Sequence, residues 1–450
     1  MAYTMRLIRR RIMLLELEAV GERFYFCPEN SLFTFDKEYQ STSERPNVDD
    51  MLTKVKMTSY CFCLAISDVC NLHCSYCFNK AKTGKLMKGD EAVADLERLF
   101  AAFPDGEKYF IDLSGLGEPL LNLGAIEQIA AFCRRKSEEL RVEVLPQLVC
   151  NGTLLTEKVA ERLQEPGVLF GVSLDGERQA NDLSRGKGTF DAAINNVRRI
   201  KDRRYIGCAA TLTRRVFPLR ESLDDLSKTF KTISYRPARG DGYRIDEQAC
   251  DGWIKEYERL SAAMKEDVVS NNDDRFLTLM NGDDFFGRIL CRVFGRELAL
   301  NRCDAGIRRF AIGVDGMVTG CIPECSLHGG IGLEQSKQGA PRLLEQQAHR
   351  CPDCVFRFVC GGPCPIEYEA LDGPNPAECR LAKRFIVLAG ALMLCALRDN
   401  PDLYIRLRAF SKEKRRRRQA DKRLYDFLAR HPELGFSDGK RAYDDLFPSR

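Results

Sequence analysis

From about residue 59, apolar runs of strand length alternate with segments that repeat apolar residues at helical spacing. The strand-like runs are residues 61–66, 109–113, 142–149, 168–174, 206–212 and 232–235. Between the first two, Val93, Leu96, Phe100 and Phe103 recur with the period of an amphipathic helix. Six strand–helix repeats without hairpins predict a parallel sheet with right-handed crossovers. The pattern alone leaves open a closed barrel, a partial barrel or an open sheet.

The pattern changes on both sides of this region. Short alternating runs at 23–27 and 31–35 predict two strands of a small N-terminal extension, and Gly, Pro and Cys dominate from 291 to 379. We predict the following division: an extension (1–58), an α/β core (59–245), a helical linker (246–300), a cysteine-rich domain (301–385) and a helical, basic C-terminal region (386–450).

The composition is typical of a soluble globular chain, with 450 residues, 44% hydrophobic, 30% charged and a mean hydropathy of −0.31. These values exclude collagenous and multispanning membrane proteins. The longest uncharged apolar run, 385–397, is shorter than the roughly 20 residues that cross a bilayer, so it predicts a buried helix. We expect no secretory signal, a cytoplasmic location and no membrane partner.

The chain has 20 cysteines, and a reducing compartment makes disulfides an unfavourable explanation for them. Cys70, Cys74 and Cys77 form a C-x3-C-x2-C loop directly after the first predicted strand. Three thiolates there can hold three irons of a [4Fe–4S] cluster and leave the fourth open, as catalytic metal sites do. The alternatives are zinc, with His73 as a further ligand, or thiols of the apolar core.

This loop, with Tyr76 as the aromatic residue before its third cysteine, resembles the signature of radical S-adenosylmethionine (SAM) enzymes. The segment from Gly115 to Pro119 follows the second strand, as the glycine-rich SAM-binding motif does in that family. The resemblance implies a partial parallel (β/α)6 TIM-like barrel. It further implies SAM contacts from Tyr76, Gly115, Gly117, Glu118, Pro119, Ser173 and Arg185.

Seven later cysteines are spaced like those of a SPASM domain, which carries auxiliary iron–sulfur clusters in peptide-modifying radical SAM enzymes. By resemblance, an outer cluster takes Cys351, Cys354, Cys360 and Cys379, and an inner cluster takes Cys303, Cys321 and Cys364. The inner set lacks a fourth ligand, for which Cys291 is the first candidate and Cys325 the second; an open iron is the alternative. We interpret Cys27, Cys61, Cys63, Cys133, Cys150, Cys208, Cys250 and Cys395 as small core residues.

The resemblance implies SAM and three [4Fe–4S] clusters as cofactors, and an external electron donor such as flavodoxin or ferredoxin. It implies a 5′-deoxyadenosyl radical that removes hydrogen from a ribosomally made precursor peptide, so that a thioether, C–C or ether crosslink forms. The sequence identifies no catalytic acid or base.

Two alternatives stay open. An anaerobic sulfatase-maturating enzyme forms formylglycine, but that family has Asp directly after the second SPASM cysteine, where this chain has Ile322. A zinc-stabilised adaptor would instead bind nucleic acid through Arg415–Arg418, although a solvated helix explains that run equally simply. We expect no nucleic-acid partner.

Overall fold

The computed structural model describes residues 5–8, 12–41, 45–54, 59–80, 82–203, 206–239, 244–327 and 343–417. The strands are β1 Met5–Ile8, β2 Ile12–Ala19, β3 Glu22–Cys27, β4 Leu32–Thr34, β5 Ser59–Leu64, β6 Lys108–Asp112, β7 Glu143–Cys150, β8 Leu169–Ser173, β9 Gly207–Leu212, β10 Ile233–Pro237, β11 Arg309–Ile312 and β12 Val318–Thr319.

The helices of the core and its C-terminal neighbour are α1 Val48–Thr53, α2 Gly89–Ala102, α3 Leu123–Leu140, α4 Glu157–Gln164, α5 Arg178–Arg185, α6 Thr189–Arg199, α7 Leu219–Leu226, α8 Glu247–Ser270, α9 Asp274–Gly282 and α10 Phe286–Gly295. The later helices are α11 Ile322–Leu327, α12 343–348, α13 Arg357–Cys360, α14 Pro365–Ala370, α15 Pro376–Asp399 and α16 Pro401–Arg417. A 3₁₀ turn covers Pro119–Asn122.

The main sheet is curled and mostly parallel, in the order β10-β9-β8-β7-β6-β5-β11-β12. All six predicted strands occur in it as parallel neighbours in chain order, which confirms the partial barrel. Two strands of the main sheet, β11 and β12, were not predicted. β11 adds parallel to β5, with Arg309 opposite Cys61, and β12 follows antiparallel. The cysteine-rich segment therefore contributes strands directly to the sheet of the core.

The two faces of the main sheet have different environments. Along β7, buried residues alternate strictly with half-buried ones, and the buried set belongs to the apolar core beneath the helices. Phe62 of β5 and Tyr109 of β6 lie on that covered face, where Phe100 of α2 contacts both rings at 5.6 and 4.5 Å between centroids. The opposite, concave face carries half-buried side chains such as Gln147 and Asp112 beside buried ones such as Phe110.

The small sheet β1–β4 packs on α15. A Cβ on Gly390 would lie 2.4 Å from the Phe33 ring, so the helix and this sheet are in direct contact. Arg45, after the small sheet, donates to the carbonyls of Pro352 and Cys354 at 3.0 and 3.1 Å. The extension thus packs against the cysteine-rich region.

Residues 385–396 are buried along α15, which confirms the predicted buried helix. Among the described helices, none combines the length and apolarity that crossing a membrane requires. The domain boundaries of the sequence analysis stay a prediction, although helices α8 to α10 occupy most of the expected helical linker. The Arg415–Arg418 run ends outside the described residues.

Candidate active site

The C-x3-C-x2-C loop lies at the carboxyl edge of the main sheet, where β5 ends. Its anchors are hydrogen bonds from Asn151 Nδ2 to Asn71 Oδ1 (2.7 Å), from Ser75 N to Ser184 O (2.8 Å) and from Asn79 Nδ2 to Leu116 O (2.9 Å). Asn151 follows β7, Ser184 lies in the last turn of α5 and Leu116 follows β6. Three separate elements of the core therefore hold the loop. This edge is where parallel α/β folds place their active sites.

The three loop thiols are all half-buried. Burial raises the pKa of Cys74, Arg185 opposes that shift, and the neighbouring Cys70 and Cys77 thiols raise the pKa further. The charges of Cys70 and Cys77 therefore act on Cys74, and a bound metal would be coordinated by the three side chains as thiolates. Their sulfurs do not all lie within 4.8 Å of one another.

The turn after β6 contacts the loop so closely that it requires glycine. A Cβ on Gly117 would lie 2.2 Å from the Val69 carbonyl oxygen, and one on Gly115 would lie 3.0 Å from Ala65 Cα. Glu118 N donates to the same Val69 oxygen at 2.7 Å. The structure thus places the turn with Gly115, Gly117 and Glu118 against the residues that lead into the cysteine loop, and the SAM contacts of Gly115, Gly117, Glu118 and Pro119 stay a prediction.

Glu118 is buried at 2% exposure. Its two carboxylate oxygens accept hydrogen bonds from Leu120 N at 3.1 Å and Asn151 N at 2.7 Å. Burial nevertheless raises the pKa of Glu118 to about 7, because these bonds only partly offset the lost hydration. This carboxyl group can therefore change charge near neutral pH, within the predicted SAM site.

A buried polar network connects the cysteine loop to β8 and β9 through Asp175. This carboxylate accepts two hydrogen bonds from Arg185 at 2.9 and 3.0 Å and one from Tyr76 Oη at 2.5 Å. The Arg185 guanidinium also lies over the Tyr76 ring at 5.5 Å. Ser173 ends β8 two residues before Asp175. The predicted SAM contacts of Ser173 and Arg185 stay predictions, and the structure gives Arg185 a carboxylate partner within the protein.

The four predicted ligands of the outer cluster, Cys351, Cys354, Cys360 and Cys379, line one cavity. Burial raises the pKa of Cys379 to about 11; Lys383 lowers it and the other three thiols raise it. Arg357 holds the surrounding loop, since it donates to the carbonyls of Gln347, Ala348 and Arg350. The Cys364 sulfur lines the same cavity, and this concentration of soft sulfur donors fits an iron–sulfur cluster.

The predicted inner ligands also come together. Burial raises the pKa of Cys321 to about 12, Arg309 lowers it, and the thiols of Cys303 and Cys364 raise it. The candidate fourth ligands have other contacts: Cys291 donates to the Met280 carbonyl at 3.3 Å, and Cys325 lies 3.0 Å from Thr319 Oγ1. The identity of a fourth ligand therefore stays a prediction.

A buried ionic network lies beside cysteines of both sets. Arg239 contacts Glu367 at 2.7 Å and Glu378 at 3.2 Å, and Arg302 contacts Glu378 at 2.9 Å. Glu378 precedes Cys379 directly in α15. These buried charges are paired, as the cost of desolvation requires. Their ion pairs connect α14, α15 and the segment after β10.

Seven of the eight cysteines interpreted as core residues are indeed buried: Cys27, Cys63, Cys133, Cys150, Cys208, Cys250 and Cys395. The interpretation was wrong for Cys61, which is half-buried. The side chains of Cys61 and Cys63 both lie on the concave side, with Asp112 and Arg309. The alternation C-F-C shows that the two thiols share a face. It does not show which face the helices cover.

Comparison with known proteins agrees with this geometry. Residues 64–233 match the model of the Radical SAM superfamily. An uncharacterized protein of Archaeoglobus fulgidus is 26% identical over 80% of this chain and 89% of its own length. The mycofactocin maturase MftC of Mycobacterium tuberculosis is 24% identical over 75% of this chain and 87% of its own.

Two further comparisons concern sulfatase maturation and the fold. A serine-type anaerobic sulfatase-maturating enzyme of Klebsiella aerogenes is 30% identical, but over only 29% of this chain and 34% of its own. The solved structure of anSMEcpe with bound AdoMet superposes with a TM-score of 0.58 at 19% identity, covering 76% of this chain and all of that one.

The matched domain, the loop geometry and the shared fold define a radical SAM enzyme. Residues 64–233 form a Radical SAM domain, and the cysteine-rich region that follows adds two strands to the same sheet. The family implies SAM and a [4Fe–4S] cluster as cofactors, and the three loop cysteines fit that cluster. These findings support an enzyme rather than the zinc-stabilised adaptor.

Proposed function

We propose that this enzyme is a peptide maturase that removes hydrogen from a residue of a ribosomally made precursor peptide and installs a thioether, C–C or ether crosslink. The observation that carries the proposal is the combination of a cysteine loop at the sheet edge with two further cysteine sets in a region that joins the same sheet. Similarity to a mycofactocin maturase over three quarters of the chain supports the peptide substrate.

SAM and the cluster on Cys70, Cys74 and Cys77, when bound, supply a carbon radical that can take hydrogen from an unactivated carbon. The chain's own residues bind SAM and the peptide and orient them relative to each other. The turn at Gly117 packs on the cysteine loop, and the half-buried residues Gln147 and Ser173 line the concave face on which a peptide would lie. The sheet is open along one side, so an extended substrate has room to enter.

Crosslinking removes two hydrogens from the peptide. One leaves as a hydrogen atom, and closing the bond then releases a proton and one electron, which needs an acceptor. The set Cys303, Cys321 and Cys364 fits that role, because Arg309 beside Cys321 belongs to the strand paired with β5. We propose that this set and the outer one each hold a [4Fe–4S] cluster, and that a flavodoxin or ferredoxin supplies the first electron.

The second candidate is a sulfatase-maturating enzyme that forms formylglycine, and similarity to the Klebsiella aerogenes enzyme favours it over the core region. Against it, Ile322 stands at the position of the expected Asp and begins α11. The nearest carboxylate along that helix, Glu324, accepts a hydrogen bond from Gly320 N at 2.9 Å and so has a structural contact.

Co-expression with the nearest encoded short peptide tests the choice. The crosslink proposal predicts a product lighter by two hydrogens, with the link localised by fragmentation, and no product with the Cys74→Ala enzyme. Formylglycine formation from serine also removes two hydrogens, so a carbonyl-reactive hydrazide probe is applied to the product. Labelling by the probe contradicts the crosslink and establishes the sulfatase-maturase alternative.

A further inference from the structure

Two thiols, a carboxylate and a guanidinium that belong to none of the three cysteine sets meet on the concave face, where Arg309 also interacts with Cys321 of the inner set. Cys61 Sγ and Cys63 Sγ are 3.8 Å apart, and each lies within 4.8 Å of a carboxylate oxygen of Asp112. Arg309 Nη2 donates to Cys61 Sγ at 3.3 Å and to Asp112 Oδ2 at 3.2 Å. Within the described residues, no other trio of His, Cys, Asp or Glu side chains comes as close together.

The backbone register creates this cluster. Cys61 and Cys63 are two residues apart on β5, so their side chains leave the same face of the sheet. Asp112 of β6 is paired with Cys63, and Arg309 of β11 is paired with Cys61. Paired residues on neighbouring strands also share a face. The donor atoms are thus placed by three adjacent strands of the sheet and need no loop rearrangement to converge.

We propose that Cys61, Cys63 and Asp112 bind one thiophilic divalent ion of the zinc class, with a fourth coordination position open to the concave cleft. Zinc–thiolate bonds of about 2.3 Å at a tetrahedral angle place two sulfurs about 3.8 Å apart, and this is the separation of Cys61 and Cys63. Three protein ligands with one open position are typical of reactive rather than structural zinc sites.

Charge and hydrogen bonding agree with a divalent ion. Two thiolates and one carboxylate carry three negative charges, which one divalent ion and the Arg309 guanidinium neutralise. Arg309 would then donate to a ligand sulfur and a ligand carboxylate from outside the metal sphere, the role that supporting residues have around metal sites. Ser114 N, which donates to Asp112 Oδ1 at 3.0 Å, orients the same carboxylate.

The rival explanations are a redox dithiol and a ligand pair for an iron cluster. Residues two apart on a parallel strand have Cα atoms about 6.6 Å apart, near the upper limit for a disulfide. Iron–sulfur clusters are held by thiolates, and a carboxylate beside two thiols suits zinc better. Neither rival explains why Asp112 is within ligand distance of both sulfurs.

The test measures metals in the reconstituted enzyme, purified with equimolar zinc and then desalted. The proposal predicts about one zinc per chain in addition to the cluster iron, and zinc-edge X-ray absorption with two sulfur neighbours at about 2.3 Å. That edge is specific for zinc, so the iron clusters do not mask it. In Cys61→Ser/Cys63→Ser, zinc falls to background while iron per chain is unchanged.

Asp112→Asn provides a second variant that keeps both buried thiols, and it should bind zinc at least tenfold more weakly. The matched control is Cys208→Ala, which removes a buried thiol of β9 on the helix-covered face and should keep its zinc. Absence of zinc from the wild-type enzyme overturns the proposal. So does loss of iron from the double variant, or a Cys61–Cys63 disulfide in the mass spectrum of the alkylated protein.

Discussion

The two cysteine-bearing regions of the molecule are assembled in different ways. The loop ligands Cys70, Cys74 and Cys77 are neighbours in the chain, and polar contacts tie their loop to the carboxyl edge of the sheet. The downstream cysteines are spread from Cys303 to Cys379 and converge only through α15, the buried arginines and the strand added to β5. Local sequence thus builds the first site, whereas tertiary packing builds the others.

The difference has a functional consequence. Beside the loop, Asp175 neutralises the positive charge of Arg185, so the polar groups of this site are paired with one another inside the core. Around the outer cysteines, burial raises the pKa of Cys379 and Lys383 partly offsets that shift, while Arg45 of the extension contacts the loop backbone. Damage to the first region should therefore abolish chemistry while the fold persists. Damage to the second should affect packing and electron transfer first.

The largest expected effect is that of Cys74→Ala. Removing one of three loop thiolates leaves the SAM-cleaving cluster without a full ligand set, so 5′-deoxyadenosine formation under reducing, anaerobic conditions should fall to background. Cys354→Ala, in the outer set, is the matched variant and should retain SAM cleavage. Undiminished cleavage by the Cys74→Ala protein would contradict the assignment of this loop.

A smaller effect is expected from Gly117→Ala. The added Cβ would meet the Val69 carbonyl oxygen at 2.2 Å and Asp68 C at 2.7 Å, and backbone atoms cannot move aside as a flexible side chain can. We expect a loss of about 1–3 kcal/mol in stability, as for overpacked sites, together with weaker SAM binding. Thermal unfolding and equilibrium dialysis with SAM measure both.

Gly124→Ala is the control for this variant, because nothing lies within 4 Å of a Cβ there and the residue is in α3. It should match the wild type in SAM affinity and be no less stable. Equal behaviour of the two alanine variants would show that the turn does not need its close contact with the cysteine loop.

The third expected effect is a pH dependence due to Glu118. Its pKa of about 7 in the folded protein lies above the ordinary 4.5, so the folded state binds the proton more tightly. This contribution to stability is fully present below pH about 4.5 and is lost as pH rises to about 7, with a total of about 3 kcal/mol.

Glu118→Gln removes that titration. The free energy of unfolding of the variant should therefore decline less than that of the wild type between these pH values, as followed by urea titration. The comparison uses slopes, since Gln cannot accept both backbone hydrogen bonds that Glu118 accepts and starts from a lower absolute stability. Parallel slopes would contradict a raised pKa.

The sequence predicted the parts of the molecule whose signals are local. The six parallel strands were visible as apolar runs, and the buried part of α15 as an uncharged stretch of 13 residues. Strand β11 was missed because it has four residues, and its partner β5 lies some 250 positions earlier in the chain. Short strands in Gly-rich segments carry too little periodicity to be recognised.

The sites show the same division. Spacing identified the loop cysteines, and the resemblance identified the later sets, but neither indicated that Asp175 pairs with Arg185 and Tyr76. The concave location of Cys61 and Cys63 was also missed, because alternation along β5 defines two faces without assigning the helices to either. The available sequence signal for Asp175 was its position two residues after Ser173, at the carboxyl end of β8.

The central claim is that two separately assembled cysteine regions bind metal. The iron content of a loop variant tests this claim most directly. If all three predicted clusters are [4Fe–4S], the reconstituted wild-type enzyme should hold about 12 iron atoms per chain. The variant with Cys70, Cys74 and Cys77 all replaced by Ala should retain about two-thirds of that iron and form no 5′-deoxyadenosine. Loss of all iron from this variant would contradict the account, because the downstream cysteines would then hold no cluster of their own.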